Sequence, residues 1–190
     1  MKKVEIENLK KVESKNWRMY DEEESVLFNS YCRDSNMVLS NMYPCVMRYN
    51  GLIFNSVDHL YNWLMFDGED EEVKKVRDKI YKCSGVCNGF ESKRIRKEND
   101  SLIPEENKKN HLKILKTCHI VKAKCCREFR EKLIESGDKN LVEFAWWGDC
   151  RYGVVKDKES GMYEGMNMCG RVMMEVRRML LAGELGEFDD

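Results

Sequence analysis

Two prolines and three histidines among 190 residues are few. Scarce histidine leaves few ways to build a histidine-based triad. No GxSxG is present to seat a nucleophilic serine. There is also no GxxxxGK(S/T), no GxGxxG after a strand and no HExxH. These absences argue against Walker-loop phosphoryl transfer and serine hydrolysis. No run of about 18 apolar residues exists to span a membrane. The opening residues, MKKVEIENLKK, carry both signs of charge and lack the apolar core of a signal peptide. Excess charge of one sign is missing too: 33 basic residues meet 34 acidic ones, for a net charge of −1. That balance gives no general pull toward nucleic acid or anionic membrane, though a local basic patch remains open.

Cysteine is plentiful, with nine in the chain. The number is odd and no CxxC occurs, so reduced thiols and a cytoplasmic setting are expected. His119, Cys125 and Cys126 match no common structural-zinc spacing, and no metal or other cofactor is expected.

A hydrophobic fraction of 42% suits one globular domain. Residues 1–24 read as a polar lead-in with a short helix, 25–183 as the domain and 184–190 as an acidic tail. VLFNSYC (26–32) and MVLSNMYPCVMRYN (37–50) are rich in β-branched, aromatic and apolar residues. Asn50-Gly51 is a two-residue turn signal, which makes 46–54 a hairpin. From Ser56 the apolar period becomes helical, with Val57, Leu60, Tyr61, Leu64 and Met65 on one face up to about Phe66. A second helix spans Glu71 to about Cys83. SGVCNGF (84–90) reads as a turn, and ESKRIRKEND as a short helix or an exposed loop. One long helical stretch covers 105–135 and stops at Gly137. LVEFAWW (141–147) reads as a buried strand. A loop with five glycines over 148–170 leads into a final helix at 171–181. Without βα alternation, the fold class is α+β.

Three polar-aromatic clusters could carry chemistry. In LSNMYP (39–44), Asn41 and Tyr43 either make a local turn or present an amide and a ring to a ligand. In NSVDHLYNW (55–63), Asn55 and Ser56 suit an N-cap, and Asp58 suits the first helical turn. The helix dipole there favours ionised Asp58, as a carboxylate base or cation stabiliser. His59 beside it reads as a packed, hydrogen-bonded ring. WWGDCRYG (146–153) sets Trp147, Asp149 and Tyr152 in a glycine-rich loop. It is either an ordinary strand end or a place where a flat heterocycle stacks. GMNMCGR (165–171) puts Asn167 and Arg171 at a glycine-bearing helix start, where backbone N–H groups can approach a phosphate.

Taken in order, Phe28, LSNMYP, Asn50-Gly51, SVDHLYN (56–62), SKRIRK (92–97), SGDKNLVE (136–143), DCRYG (149–153) and GMNMCGRVMMEVR (165–177) resemble the NADAR (YbiA-like) family. The likeness runs from about residue 26 to 181. It implies a compact α+β domain with small sheets packed by helices. It also implies a metal-independent N-glycosidase. Family members act on an early riboflavin-pathway intermediate or remove ADP-ribose from guanine in nucleic acid. The implied substrate is therefore a ribosyl phosphate or an ADP-ribosyl group, with ADP-ribosylated nucleic acid as a further partner. Oligomeric state is left open.

By position, Asp58 takes the place of the family's key glutamate. Lys93 falls on its AK lysine, where it could capture an opened sugar aldehyde. Asp149 and Tyr152 fall on its D-x-x-W-G element, with Trp147 as another stacker. Asn41, Tyr43 and His59 fall in pocket motifs, and Asn167 and Arg171 at the phosphate-facing helix start. The departures are the shorter acid at 58, Met65 where the family often has lysine, the altered SKRIRK segment and tyrosine for tryptophan at 152. They leave room for a different substrate, or for a module that binds ADP-ribose or NAD-like nucleotides without turnover.

Overall fold

The computed structural model describes residues 3–31, 33–83 and 88–188. Cys32, Cys87 and most of the turn expected at 84–90 lie outside them. The lead-in is structured: α1 (Lys3–Val12) precedes β1 (Arg18–Tyr20). After β2 (Ser25–Phe28), the apolar 37–39 segment is not a strand. It belongs to a short 3-10 helix, Ser35–Leu39, because the Asp34 side chain accepts from the Asn36 N–H and caps it.

Asn50 and Gly51 both take positive φ, 48° and 78°. That left-handed pair matches the strand twist, so β3 (Met47–Tyr49) and β4 (Leu52–Phe54) close as the expected hairpin. The two helices that follow also form, as α2 (Val57–Leu64) and α3 (Glu71–Tyr81). The charged stretch after them is helical, as α4 (Asn88–Glu98). The single helix expected over 105–135 is three: α5 (Glu105–Lys109), α6 (His111–Cys125) and α7 (Arg127–Glu135). The α6–α7 break falls at Cys126, whose φ of −124° and ψ of 101° are extended. No proline or glycine marks it. The Arg130 guanidinium binds the Ala123 and Lys124 carbonyls there, satisfying groups that the broken ladder frees.

The expected strand 141–147 ends early, as β5 (Asn140–Glu143). The glycine-rich loop holds two further strands, β6 (Val155–Lys156) and β7 (Tyr163–Gly165), and α8 (Met168–Leu181) starts before residue 171. β1, β7 and β6 form an antiparallel sheet, and β2 pairs parallel with β5. Phe28, Leu133, Leu141, Met173 and Val176 bury the space between that parallel pair, α7 and α8. Because β2 and β5 run the same way, both release their following loops at one end. Among the described residues, eight α-helices and small paired strands make the fold α+β.

Candidate active site

Ser56 caps α2, its Oγ accepting from the His59 N–H at 3.1 Å. The cap is therefore not Asn55, and Asp58 is spared capping work. The Asp58 N–H donates instead to the Asn41 carbonyl at 3.0 Å, which ties the LSNMYP turn to the helix start. Tyr61 and Asn62 lie three and four residues on, hence on the face of α2 that carries Asp58. Asn62 fixes α4 against this face, donating to Ser92 Oγ at 3.0 Å and accepting from Arg96 Nε at 2.8 Å. The close approach needs Gly89, where a Cβ would come within 3.2 Å of the Asp58 Cβ. The loops released by β2 and β5 complete the opposite wall.

The result is a cleft of about 320 Å³. Asp58, Lys93 and Arg96 line it from α2 and α4, and Glu143, Trp147, Asp149 and Tyr152 from β5 and the loop that follows. Asn41 and Met42 contribute from the turn, and Tyr31 and Phe90 from the mouth. The cleft thus gathers Asp58, Lys93, Asp149, Asn41, Trp147 and Tyr152. Asp149 shapes its own loop, Oδ1 accepting from the Arg151 and Tyr152 N–H groups at 2.9 and 3.0 Å. Tyr152 is held at 2.9 Å by His111 Nδ1.

Four other singled-out residues lie elsewhere. Tyr43 points out of the back of its turn and donates to Glu128. His59 uses both ring nitrogens on backbone: Nδ1 accepts from the Asn55 N–H at 3.3 Å, and Nε2 donates to the Ile80 carbonyl at 2.8 Å. Asn167, at φ 47°, clamps β5, accepting from the Glu143 N–H at 3.1 Å and donating to the Leu141 carbonyl at 2.8 Å. Arg171 borders a separate groove with Lys113, Lys116 and Glu175. The helix start beside it is already covered. The N–H groups of Asn167, Met168 and Cys169 donate to the carbonyls of Gly153, Arg151 and Tyr152. They are not free to face a phosphate.

Glu143, Tyr61 and Asn62 are not among the site residues expected from sequence, yet they line the cleft, as does Arg96 of the basic run 93–97, which sequence reads as either a phosphate contact or a solvated loop. Glu143 could have been found as the last residue of the LVE motif. Tyr61 and Asn62 follow from helical spacing off Asp58.

The carboxylates differ electrostatically. Burial raises Asp58, against the downward pull of Lys93, Arg96 and Lys122. The helix-dipole expectation of a firmly ionised acid therefore meets an opposing desolvation cost. Glu143 is raised from 4.5 to about 7, by burial first and then by the charge of Asp58. Its native form thus holds a proton that the unfolded chain releases between those values. Stability should fall as pH rises from about 4.5 to about 7 and level off above. Glu143→Gln removes this loss. We expect it to gain on the order of 1 kcal/mol near pH 8 and nothing near pH 4, read as urea midpoints.

The NADAR domain model matches residues 20–181. The NMR structure of the E. coli protein YbiA resembles this fold with a TM-score of 0.66 at 21% identity, over 85% of this chain and 89% of that one. No curated protein matches the sequence. Among the described residues, no group of histidine, cysteine and acidic side chains could hold a metal ion, and no helix is long and apolar enough to cross a membrane. The cleft and its motifs thus sit inside the matched span, and the chain belongs to the NADAR domain family.

Proposed function

We propose that the protein is an N-glycosidase that hydrolyses a ribosyl C1–nitrogen bond, most specifically one that releases ADP-ribose from a modified base. Membership of the NADAR family supports glycosidase-type chemistry. The observation that carries the reading is the pair Asp58 and Glu143, two carboxyl groups lining one cleft, with Glu143 held up to about 7 by burial and by the charge of Asp58. A carboxyl that keeps its proton near neutrality, beside a second carboxyl group, suits the pairing of an acid with a charge-stabilising carboxylate. Glu143, raised to about 7, protonates the leaving nitrogen as the C1–N bond breaks. Asp58 stabilises the positive charge that develops on the ribosyl carbon and oxygen. Water then adds to C1, and its proton returns through Glu143. The step as written draws only on these side chains and water. Lys93 offers a second route: as the ribose ring opens, C1 becomes an imine of the base nitrogen, the Lys93 amine displaces that nitrogen by transimination, and water hydrolyses the new imine to free the sugar and the lysine.

Arg96 and Lys93 suit the phosphates, and Trp147 and Tyr152 a flat base. Tyr31, Trp146 and Trp147 form an exposed cluster of edge-on rings, with centroids 5.8–6.2 Å apart. Flanking bases could stack there, which favours nucleic acid as carrier of the modified base over a small ribosylaminopyrimidine phosphate. An enzyme of this kind would work in the cytoplasm. A binding module is the second reading, favoured by the short arm of Asp58.

The test offers wild-type protein ADP-ribosylated guanine DNA and the ribosylaminopyrimidine phosphate side by side, with products read by mass spectrometry. Released ADP-ribose supports the proposal. Binding of ADP-ribose with no product from either substrate, even on long incubation, establishes the module instead. Borohydride trapping of a sugar adduct at Lys93 distinguishes the amine route.

A further inference from the structure

We infer that Lys122 is the positioning residue of this cleft, a buried ammonium that holds the 38–42 turn from behind and whose charge acts on Asp58. Lys122 has no exposed surface. Its Nζ donates to the Val38 carbonyl at 2.6 Å and the Ser40 carbonyl at 2.8 Å. The Val38 carbonyl belongs to the last turn of the Ser35–Leu39 helix, and the Ser40 carbonyl just beyond it also accepts from the Tyr43 N–H at 3.2 Å. The ammonium also lies 4.5 Å from the centre of the Phe129 ring and 5.4 Å from that of Tyr43. A neutral donor would satisfy the same carbonyls. The two carbonyls and the two ring faces offset part of the cost of burying an ammonium there.

The turn it grips is part of the cleft. Ser40 Oγ meets Ser30 Oγ at 2.9 Å and accepts from the Met42 N–H at 3.1 Å. Ser30, Asn41 and Met42 all line the cleft. The Asn41 carbonyl receives the Asp58 N–H, so the Lys122 contact at Ser40 falls on the residue next to the one whose backbone orients Asp58. Lys93 and Arg96 also favour ionised Asp58, but they reach solvent, where salt screens them. Lys122 does not.

The groups around Lys122 are mixed. Burial lowers it, while Cys45 before the hairpin, Cys126 at the α6–α7 break, Cys169 on α8 and Asp58 on α2 raise it. His119, one turn back on α6, is itself lowered to about 3 by burial and by Lys122.

This inference rests on the proposed role of Asp58 but not on turnover. The experiment is an NMR titration of the Asp58 carboxyl in full-length wild type, Lys122→Arg and Lys122→Gln, labelled with carbon-13 aspartate. Glutamine keeps two N–H donors and drops the charge. Asp58 should titrate at higher pH in Lys122→Gln and close to wild type in Lys122→Arg. An unchanged titration in Lys122→Gln overturns the inference. The wild-type protein gives a second reading if that variant fails to fold: the Lys122 side-chain nitrogen must show an ammonium signal at neutral pH, and a neutral amine there overturns it. Where the wild type is active, Lys122→Gln should lower kcat by roughly 10- to 100-fold with KM little changed. If no substrate is turned over, the proposed function fails and the titration still decides this point.

Discussion

Asp58→Asn should stop product release and leave ligand binding nearly intact. The substitution preserves the shape of the side chain and removes the charge that the developing ribosyl cation needs. Removing one such preorganised group costs about 100- to 1000-fold in kcat, or roughly 3–4 kcal/mol of barrier. Ground-state affinity for ADP-ribose should stay within about tenfold, or 1.4 kcal/mol, because binding draws on the rings and cations around it. A second effect is specific to this cleft. The Asp58 charge is one of the causes that hold Glu143 up. Without it, Glu143 should titrate at lower pH in Asp58→Asn, as NMR of labelled glutamate can follow. Single-turnover kinetics and calorimetry separate the catalytic effect from binding. A variant that keeps wild-type kcat sinks the role given to Asp58. Asp58→Glu tests reach in the other direction. Lengthening the arm by one methylene should also lower kcat, since α4 packs against Asp58 at Gly89 with little spare room.

Gly170→Ala should cost the fold itself. A Cβ at Gly170 would lie 1.9 Å from the Leu141 carbonyl oxygen and 2.6 Å from both amide atoms of Asn167. The obstacle is strand backbone and a clamped amide, so nothing flexible can swing aside. α8 must lift off β5, which opens the core shared by Leu141, Cys169, Met173 and Val176. It also breaks the Asn167 bonds to Leu141 and Glu143. We expect a loss of about 3–5 kcal/mol, a large share of the roughly 5–15 kcal/mol of a typical domain. Denaturant unfolding should show a collapsed midpoint, or the variant should accumulate insoluble. Gly89→Ala makes a useful contrast. Its nearest neighbour is the end of the Met42 side chain at 3.1 Å, which can move. The Asp58 Cβ at 3.2 Å cannot, so α4 must back off by a few tenths of an ångström; the loss should be smaller than at Gly170, about 1 kcal/mol, while the cleft is distorted.

The hairpin, α2 and α3 were legible in the sequence because their signals are local. Asn50-Gly51 demands a particular turn, and Ser56 needs only the N–H three residues on to cap a helix. The ordered motifs likewise identify the family, and with it the general course of the chain. The three-way split of 105–135 was not legible. Cys126 carries no breaking tendency of its own, and the Arg130 side chain that satisfies the freed carbonyls does so only once the turn is made. The end of β5 was hidden for a similar reason. Trp146 and Trp147 look like core in sequence, yet they are 64% and 43% exposed, packed edge-on with each other and with Tyr31.

By itself, then, the sequence determined the family, the local turns and caps, and the helix face on which Asp58 stands. The tertiary structure alone decided what surrounds that face. It turned Tyr43 and His59 onto other partners, spent α8 N–H groups on backbone carbonyls, and brought Glu143 into the same cleft as Asp58. Proton affinity in such a cleft depends on desolvation and on charges brought together from α2, α4, α6 and β5. Those distances exist only after the chain has folded.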